Sequence, residues 1–288
     1  MGPVMFNVFV NDLYASITRC SLINYADDNT LSAHGTAKHT MTQVLTSQSE
    51  VAIRWFRDNY MEANASKFQS ILLNEPTENY FYIDGTSIPS SEVVTLLGVT
   101  IDNRLTFTPH INKLCRRAAA QLSVLQRLHK FLDFRSRLTV FQTFIRSHFS
   151  YCHIVWHFCG SVNTQKLERI QHRALKFVFN DRISSYEELL KRANICTLEL
   201  SRKRAILLEV YKSVKHLSPR FLWDIFTAKE AKYNLRKQNQ LSRNCCRTNR
   251  FGLNTFKDYG AKLWNTIPDN IKSKDLDGFK LWLETWSG

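Results

Sequence analysis

The residues best equipped for chemistry lie in Tyr25-Ala26-Asp27-Asp28. Adjacent carboxylates repel one another unless they are solvated or share a cation. Mg²⁺ suits such hard oxygen donors and commonly takes one or two carboxylates together with substrate phosphates. A plain polar hairpin turn uses the same residue types, so the tetrapeptide alone leaves both readings open. Lys67 precedes an apolar run and reads either as a proton donor or as a solvated lysine. Lys166, Arg169, Arg173 and Lys176 recur at three- and four-residue steps, which puts them on one helix face. A stripe of that kind matches phosphates along a duplex without reading bases, and it also describes a solvated helix surface. Arg202-Lys203-Arg204 reads as the start of a second basic patch. Cys152 to Cys159, with His153 and His157 between, invites a zinc assignment. Its spacing matches no familiar finger, and its aromatic neighbours favour buried helix residues instead.

Elements to position these groups follow from periodicity. Residues 3–13 show helical spacing, with Pro3 acceptable in the first turn. Residues 21–32 read as a hairpin that turns at Ala26-Asp27-Asp28-Asn29. Residues 38–60 form an amphipathic helix with Met41, Val44, Leu45, Val51, Ala52 and Trp55 on one face. Phe68–Leu73 reads as a strand. Tyr80–Ile83 and Thr86–Ile88 flank a tight Asp84-Gly85 turn. Val93–Ile101 reads as one strand, with Gly98 marking a bulge or close approach. After residue 105 the period changes from two to 3.6. Thr108-Pro109 opens a long helix whose stripe runs from Ile111 through Leu114, Cys115, Ala118, Leu122 and Leu125 to Leu128. Further helices are expected at 135–158, 164–179, 186–193 and 198–216, with Ser185 and Glu188 as a capping box. Short strands are expected in 233–258 and a last helix at 277–286.

The 288 residues carry a net charge of +14, with 44% hydrophobic and 22% charged residues. That balance excludes a disordered chain, and no apolar run approaches the ~20 residues of a membrane span. No leader peptide is expected at Met1-Gly2-Pro3-Val4. Residues 1–100 carry five basic and ten acidic side chains, whereas residues 101–288 carry 34 and 15. The basic half suits a polyanionic partner. Seven irregularly spaced Cys fit a reduced compartment, so an intracellular protein of the cytoplasm or nucleus is expected.

Gly2-Pro3-Val4-Met5-Phe6-Asn7-Val8-Phe9-Val10-Asn11-Asp12-Leu13 resembles the end of motif B of reverse transcriptases, specifically those of non-LTR (LINE-like) retrotransposons. Asn24-Tyr25-Ala26-Asp27-Asp28-Asn29-Thr30-Leu31 is similar to motif C, the catalytic hairpin. Ala63-Asn64-Ala65-Ser66-Lys67-Phe68-Gln69 resembles motif D. Leu96-Leu97-Gly98-Val99-Thr100-Ile101-Asp102 resembles motif E, the primer-gripping hairpin. His110-Ile111 and the helices after it resemble the thumb. Leu167–Leu175 and Leu263–Pro268 resemble the family's post-palm region.

The resemblance implies an α+β fold: a partial palm of antiparallel strands and helices over 1–105, a helical thumb-like region over 106–218, and a basic C-terminal region over 219–288. It implies RNA-directed DNA polymerase chemistry with two Mg²⁺ ions, one activating the primer 3′-hydroxyl and one steadying the triphosphate. Asp27 corresponds to a direct metal ligand, Asp28 to a weaker participant and Lys67 to a general acid toward pyrophosphate. Tyr25 would lie beneath the primer terminus. Gly98 and the basic residues Lys166, Arg169, Arg173 and Lys176 would contact nucleic acid. The implied partners are an RNA template, a DNA primer and deoxynucleoside triphosphates, with no membrane. The family's motif A, with its essential Asp, has no counterpart in the sequence. The expectation is therefore a truncated element copy or an incomplete gene model, inactive alone. A non-catalytic nucleic-acid-binding remnant is the alternative, and a Mg²⁺-dependent hydrolase built on Asp27 and Asp28 is a third reading.

Overall fold

The structure, a computed structural model, describes residues 1–74, 80–229, 239–243 and 245–288. The chain divides into one unit of residues 1–95 with 102–104 and another of residues 96–101 with 105–288.

In the first unit, α1 (Gly2–Phe9) carries Pro3 in its first turn, where the missing N–H has no partner to lose. A 3-10 turn, Val10–Asp12, and the short α2 (Leu13–Ser16) continue it, so the predicted single helix is broken and runs three residues past its expected end. α1 itself buries none of its residues. Burial begins at Val10, Leu13 and Ile17, which pack with Ala52 and Trp55 of α3 (Lys38–Asp58). Gln48 is buried on α3 although it is polar, because its Oε1 accepts the backbone N–H groups of Thr18 at 2.9 Å and Arg19 at 3.0 Å. Those donors follow α2 and would otherwise be orphaned.

β1 (Ser21–Tyr25) and β2 (Asp28–Ser32) form an antiparallel two-stranded ribbon. Leu22 and Leu31, opposite each other, pack against the α2–α3 cluster. β3 (Tyr80–Ile83) and β4 (Thr86–Pro89) form a second ribbon about the turn Asp84-Gly85. Both turn residues take positive φ, 53° and 71°, as a type I′ turn requires. Phe81 and Ile88 are buried with Leu72, against Leu45 of α3 and Phe68. The predicted strand over Phe68–Leu73 is corrected: apart from an isolated bridge between Ser70 and Ser90, that stretch joins no ladder among the described residues.

The predicted single strand over Val93–Ile101 is also corrected. It is a hairpin of β5 (Val93–Leu96) and β6 (Val99–Asp102). Leu97 and Gly98 both take positive φ, 46° and 80°, so the chain reverses there instead of bulging. The division between the two units runs through this hairpin.

The second unit is helical. α4 (Thr108–Arg127) packs on α7 (Ser161–Phe179). Between them in sequence lie α5 (Phe134–Val140), a π-helical turn Phe141–Arg146, α6 (Ser147–Ser150) and a 3-10 turn Val155–Phe158, in place of one helix over 135–158. α8 (Tyr186–Ala193) begins with the expected capping box, Ser185 with Glu188. α9 (Leu198–Val214) joins two apolar clusters. Its Leu198 belongs to the first, with Ile111, Leu122, Phe141, Trp156 and Leu175. Its Ile206, Val210 and Tyr211 belong to the second, with Trp264 of α10 (Phe256–Trp264) and Phe279 of α12 (Leu276–Thr285). α11 (Asp269–Lys272) links these last two.

Of the α4 stripe Ile111, Leu114, Ala118 and Leu122 are buried as expected, Cys115 and Leu125 are half-buried and Leu128 is exposed. Of the strands expected in 233–258, residues 233–238 and 244 lie outside the described residues. The remainder forms a π-helical turn at Asn249–Leu253 and an isolated bridge between Ala228 and Leu241. Among the described residues no helix is long and apolar enough to cross a membrane. Antiparallel ribbons with helices in one unit and helices alone through most of the other make an α+β fold.

Candidate metal and nucleic-acid site

The β1–β2 ribbon leaves only Ala26 and Asp27 between the paired residues Tyr25 and Asp28. Ala26 takes φ 53°, so the turn carries positive φ at its first central residue, as type II′ turns do. A left-handed conformation costs a residue with a Cβ about 1–2 kcal/mol. The Asn29 side chain closes the turn by donating from Nδ2 to the Asp27 carbonyl at 3.1 Å. Opposite residues of an antiparallel pair share a face. Tyr25, Asp28 and Ile23 therefore point away from the Leu22–Leu31 side that packs on the cluster. Tyr25 is 67% exposed and is not a buried hairpin tyrosine. Asp27 occupies the turn and Asp28 opens β2, both exposed. Among the described residues neither carboxylate is engaged in an ion pair.

Two unengaged carboxylates suit Mg²⁺ in kind. They fall short in number: among the described residues no three His, Cys, Asp or Glu side chains come together as a metal nest. Lys67 ends a 3-10 turn, Ala65–Lys67, capped by Asn64, whose Oδ1 accepts the Ser66 N–H at 3.0 Å. Its side chain is exposed and makes no ion pair with Asp27 or Asp28. A cleft of about 560 Å³ lies at the opposite end of the ribbon, where Ser21 and Ser32 pair, and is lined also by Arg19, His34 and Met41.

In the second unit, Gly98 lies under the Tyr151 ring. A Cβ added there would sit 3.6 Å from Tyr151 Cε1, and the Tyr151 hydroxyl donates to the Leu97 carbonyl at 2.6 Å. The β5–β6 turn is thus clamped by the segment after α6. On α7, Arg169 and Arg173 are exposed, while Lys166 and Lys176 are half-buried. Lys166 is turned toward α4, where its Nζ donates to Asn112 Oδ1 at 2.9 Å.

The Arg202-Lys203-Arg204 patch is corrected, because each cation is already engaged. Arg202 is 1% exposed and lies over the Trp156 ring at 5.2 Å. Lys203 pairs with Glu199 at 2.8 Å. Arg204 donates to the carbonyls of Glu284 and Trp286, capping the end of α12. In the Cys152–Cys159 segment Trp156 and Cys159 are buried, but Cys152 is exposed at φ 47°. Burial pushes the Cys159 thiol above its ordinary value, which disfavours a thiolate ligand.

The motif around Leu167 holds a role that periodicity did not reveal. Glu168 reaches from α7 to the start of α9, where its carboxylate accepts the N–H groups of Glu199 at 2.8 Å and Leu198 at 3.2 Å. It also accepts the Tyr186 hydroxyl. Buried Gln171 donates to that same hydroxyl at 2.9 Å. Burial and the Glu168 charge hold the Tyr186 hydroxyl well above the usual phenol range. The only sequence signal was the acidic residue itself; its partners lie about thirty positions away.

No family model matches the chain, and no solved structure matches it. Two curated proteins of Drosophila melanogaster do. The "Probable RNA-directed DNA polymerase from transposon X-element" is 20% identical over 187 residues. The "Probable RNA-directed DNA polymerase from transposon BS" is 22% identical over 192 residues. Each match covers 62% of this chain and 21% of the relative, so the chain spans about a fifth of the length of the relatives it matches. Over 62% of its length, then, the chain is distantly related to RNA-directed DNA polymerases of transposons.

Proposed function

We propose that this chain is the palm-and-thumb portion of an RNA-directed DNA polymerase. The observation that carries the proposal is the position of Asp27 and Asp28: exposed and unengaged at the tip of a two-residue hairpin turn, in a chain related to such polymerases. Asp27 and Asp28 are the residues that would hold Mg²⁺, which when bound neutralises triphosphate charge. Tyr25, on the face of Asp28, offers an exposed ring to the primer terminus. Lys67 is a mobile proton donor for the leaving pyrophosphate. Arg169 and Arg173, with Lys166 and Lys176 beside them, bind the phosphates of the template–primer hybrid. The chain's basic 101–288 half strengthens that hold.

Among the described residues no third carboxylate joins the tip, and on this reading no polymerisation is expected from these residues unaided. The same observation favours the second reading, a non-catalytic nucleic-acid-binding remnant. Binding and extension assays on one RNA–DNA hybrid test both. The expected result is tight binding that weakens steeply with salt, weakened further by R169A/R173A, with no extension above background. Affinity that is flat between low and moderate salt would remove the electrostatic account of the basic half. Extension abolished by D27A would show the site to be complete within these residues.

A further inference from the structure

The α4–α5 turn carries a patch that the proposed function does not use. Val124 and Leu128 at the end of α4, Phe131 in the 3-10 turn His129–Phe131, and Phe134 at the start of α5 are all exposed, Phe131 to 83%. Single exposed apolar residues are ordinary on any surface. Four within eleven positions, two of them aromatic, form a patch. Its setting is cationic: residues 127–137 contain Arg127, Lys130, Arg135 and Arg137 against Asp133 alone. Asp133 is occupied as a helix cap, accepting the Ser136 N–H at 2.8 Å. Arg137 is turned inward onto His129 Nε2 at 2.6 Å, which leaves Arg127, Lys130 and Arg135 outward.

The end of α7 abuts this turn. The Phe177 ring meets His129 edge-on at 5.8 Å, and Phe179 lies 5.4 Å from Phe134. Arg169, Arg173 and Lys176 therefore run along α7 toward the patch. From Lys166 to Lys176 the helix rises roughly 15 Å. A cationic track that ends in an exposed aromatic ring is the arrangement that holds unpaired nucleic acid: cations follow the backbone while rings stack on bases whatever their identity. The charge excess, continuous with the α7 cations, suits a polyanion.

We propose that Phe131 is a base-stacking contact for single-stranded nucleic acid, placed where the α7 phosphate track ends. This rests on the reading of the second unit as nucleic-acid-binding and adds the class of strand it grips. The ring contacts a base; Arg127, Lys130 and Arg135 contact the flanking phosphates.

The test compares the full 288-residue chain with F131A and F131W on two probes, a 20-nucleotide oligo(dT) and a blunt RNA–DNA hybrid. Loss of one stacked base should lower oligo(dT) affinity about tenfold in F131A. F131W should keep the parent affinity, and the hybrid should bind all three proteins alike. An exposed ring contributes little to folding, so thermal midpoints should coincide. Oligo(dT) affinity unchanged in F131A, or an equal loss on both probes, overturns the stacking contact while leaving the hybrid-binding reading intact. Failure of the parent chain to bind either probe overturns both. Self-association of the parent that F131A abolishes, with oligo(dT) affinity unchanged, assigns the patch to a protein contact and overturns the proposal.

Discussion

At the scale of single residues, Gln48 and Glu168 hold the frame by accepting backbone N–H groups from neighbouring elements. Asp27 and Asp28 were legible because two adjacent carboxylates with an Asn beyond them fit a turn and little else. Glu168 and Gln48 were not, since a helical pattern reports which face a residue occupies and not the backbone end it meets across the core. Glu168 makes two charge-assisted bonds to the first N–H groups of α9. Replacing it by Ala leaves those donors and the Tyr186 hydroxyl without their acceptor, and should cost about 2–3 kcal/mol in urea unfolding. E168Q should recover part of that loss. A change below about 0.5 kcal/mol in E168A would mean that the cap is ornamental.

His157 gives a second test at this scale. Its ring packs against Phe158 and Tyr259, and its Nδ1 is enclosed with no hydrogen-bond partner among the described residues. Burial first and the Arg202 charge next lower its pKa from 6.5 to about 3; Glu199 opposes them, and Lys203 and His153 add lesser pushes downward. Between those values the unfolded chain takes up a proton that the folded chain refuses. Stability is therefore complete above pH 6.5 and falls as the pH drops, by up to about 1.4 kcal/mol per unit from this group. His110, His148, His153 and His172 are lowered by burial too and act in the same direction. H157F keeps the ring stack, so unfolding measured at pH 7 and pH 5 should show a shallower loss than in the parent. Equal losses in both proteins would contradict the assignment.

At the scale of elements, helices with clear caps and stripes were readable. The capping box at Ser185 and Glu188 stands where the sequence put it. The strands were harder. Phe68–Leu73 has the composition of a strand, yet Phe68 and Leu72 pack on the α3–β3–β4 cluster, Leu73 is exposed and the backbone finds no ladder among the described residues. At Leu97-Gly98 one glycine was compatible with a bulge. The reversal also requires Leu97 to adopt positive φ, which an apolar residue does not advertise. That turn is held by Tyr151, and Gly98 sits at φ 80° beneath its ring. G98V should cost about 1–3 kcal/mol through backbone strain and displacement of the ring. Faster amide hydrogen exchange over Val99–Asp102 is the expected sign, and unchanged exchange would show that the clamp does not order the hairpin.

At the scale of the molecule, charge asymmetry was plain in the sequence, whereas the residues that form the exposed apolar surface were not. The helical spacing of residues 3–13 does not say which face is covered: Val4, Met5 and Val8 are each more than 60% exposed, and Ile23 on the outer face of the ribbon is 60% exposed. Surfaces of that kind drive association. M5K/V8E should raise the concentration at which the chain stays monomeric in sedimentation, without lowering its thermal midpoint. An unchanged association profile would place the sticky surface elsewhere.

The central claim is that the hairpin tip at Asp27 and Asp28 receives the growing end of a primer, and cross-linking tests this without requiring turnover. A DNA primer ending in a 3′-terminal 4-thiothymidine is annealed to RNA, bound to the chain at low salt and irradiated, and the attached peptide is identified by mass spectrometry. The account predicts attachment within Tyr25–Asn29. A hybrid that binds but cross-links by its 3′ end only outside the β1–β2 ribbon would contradict it.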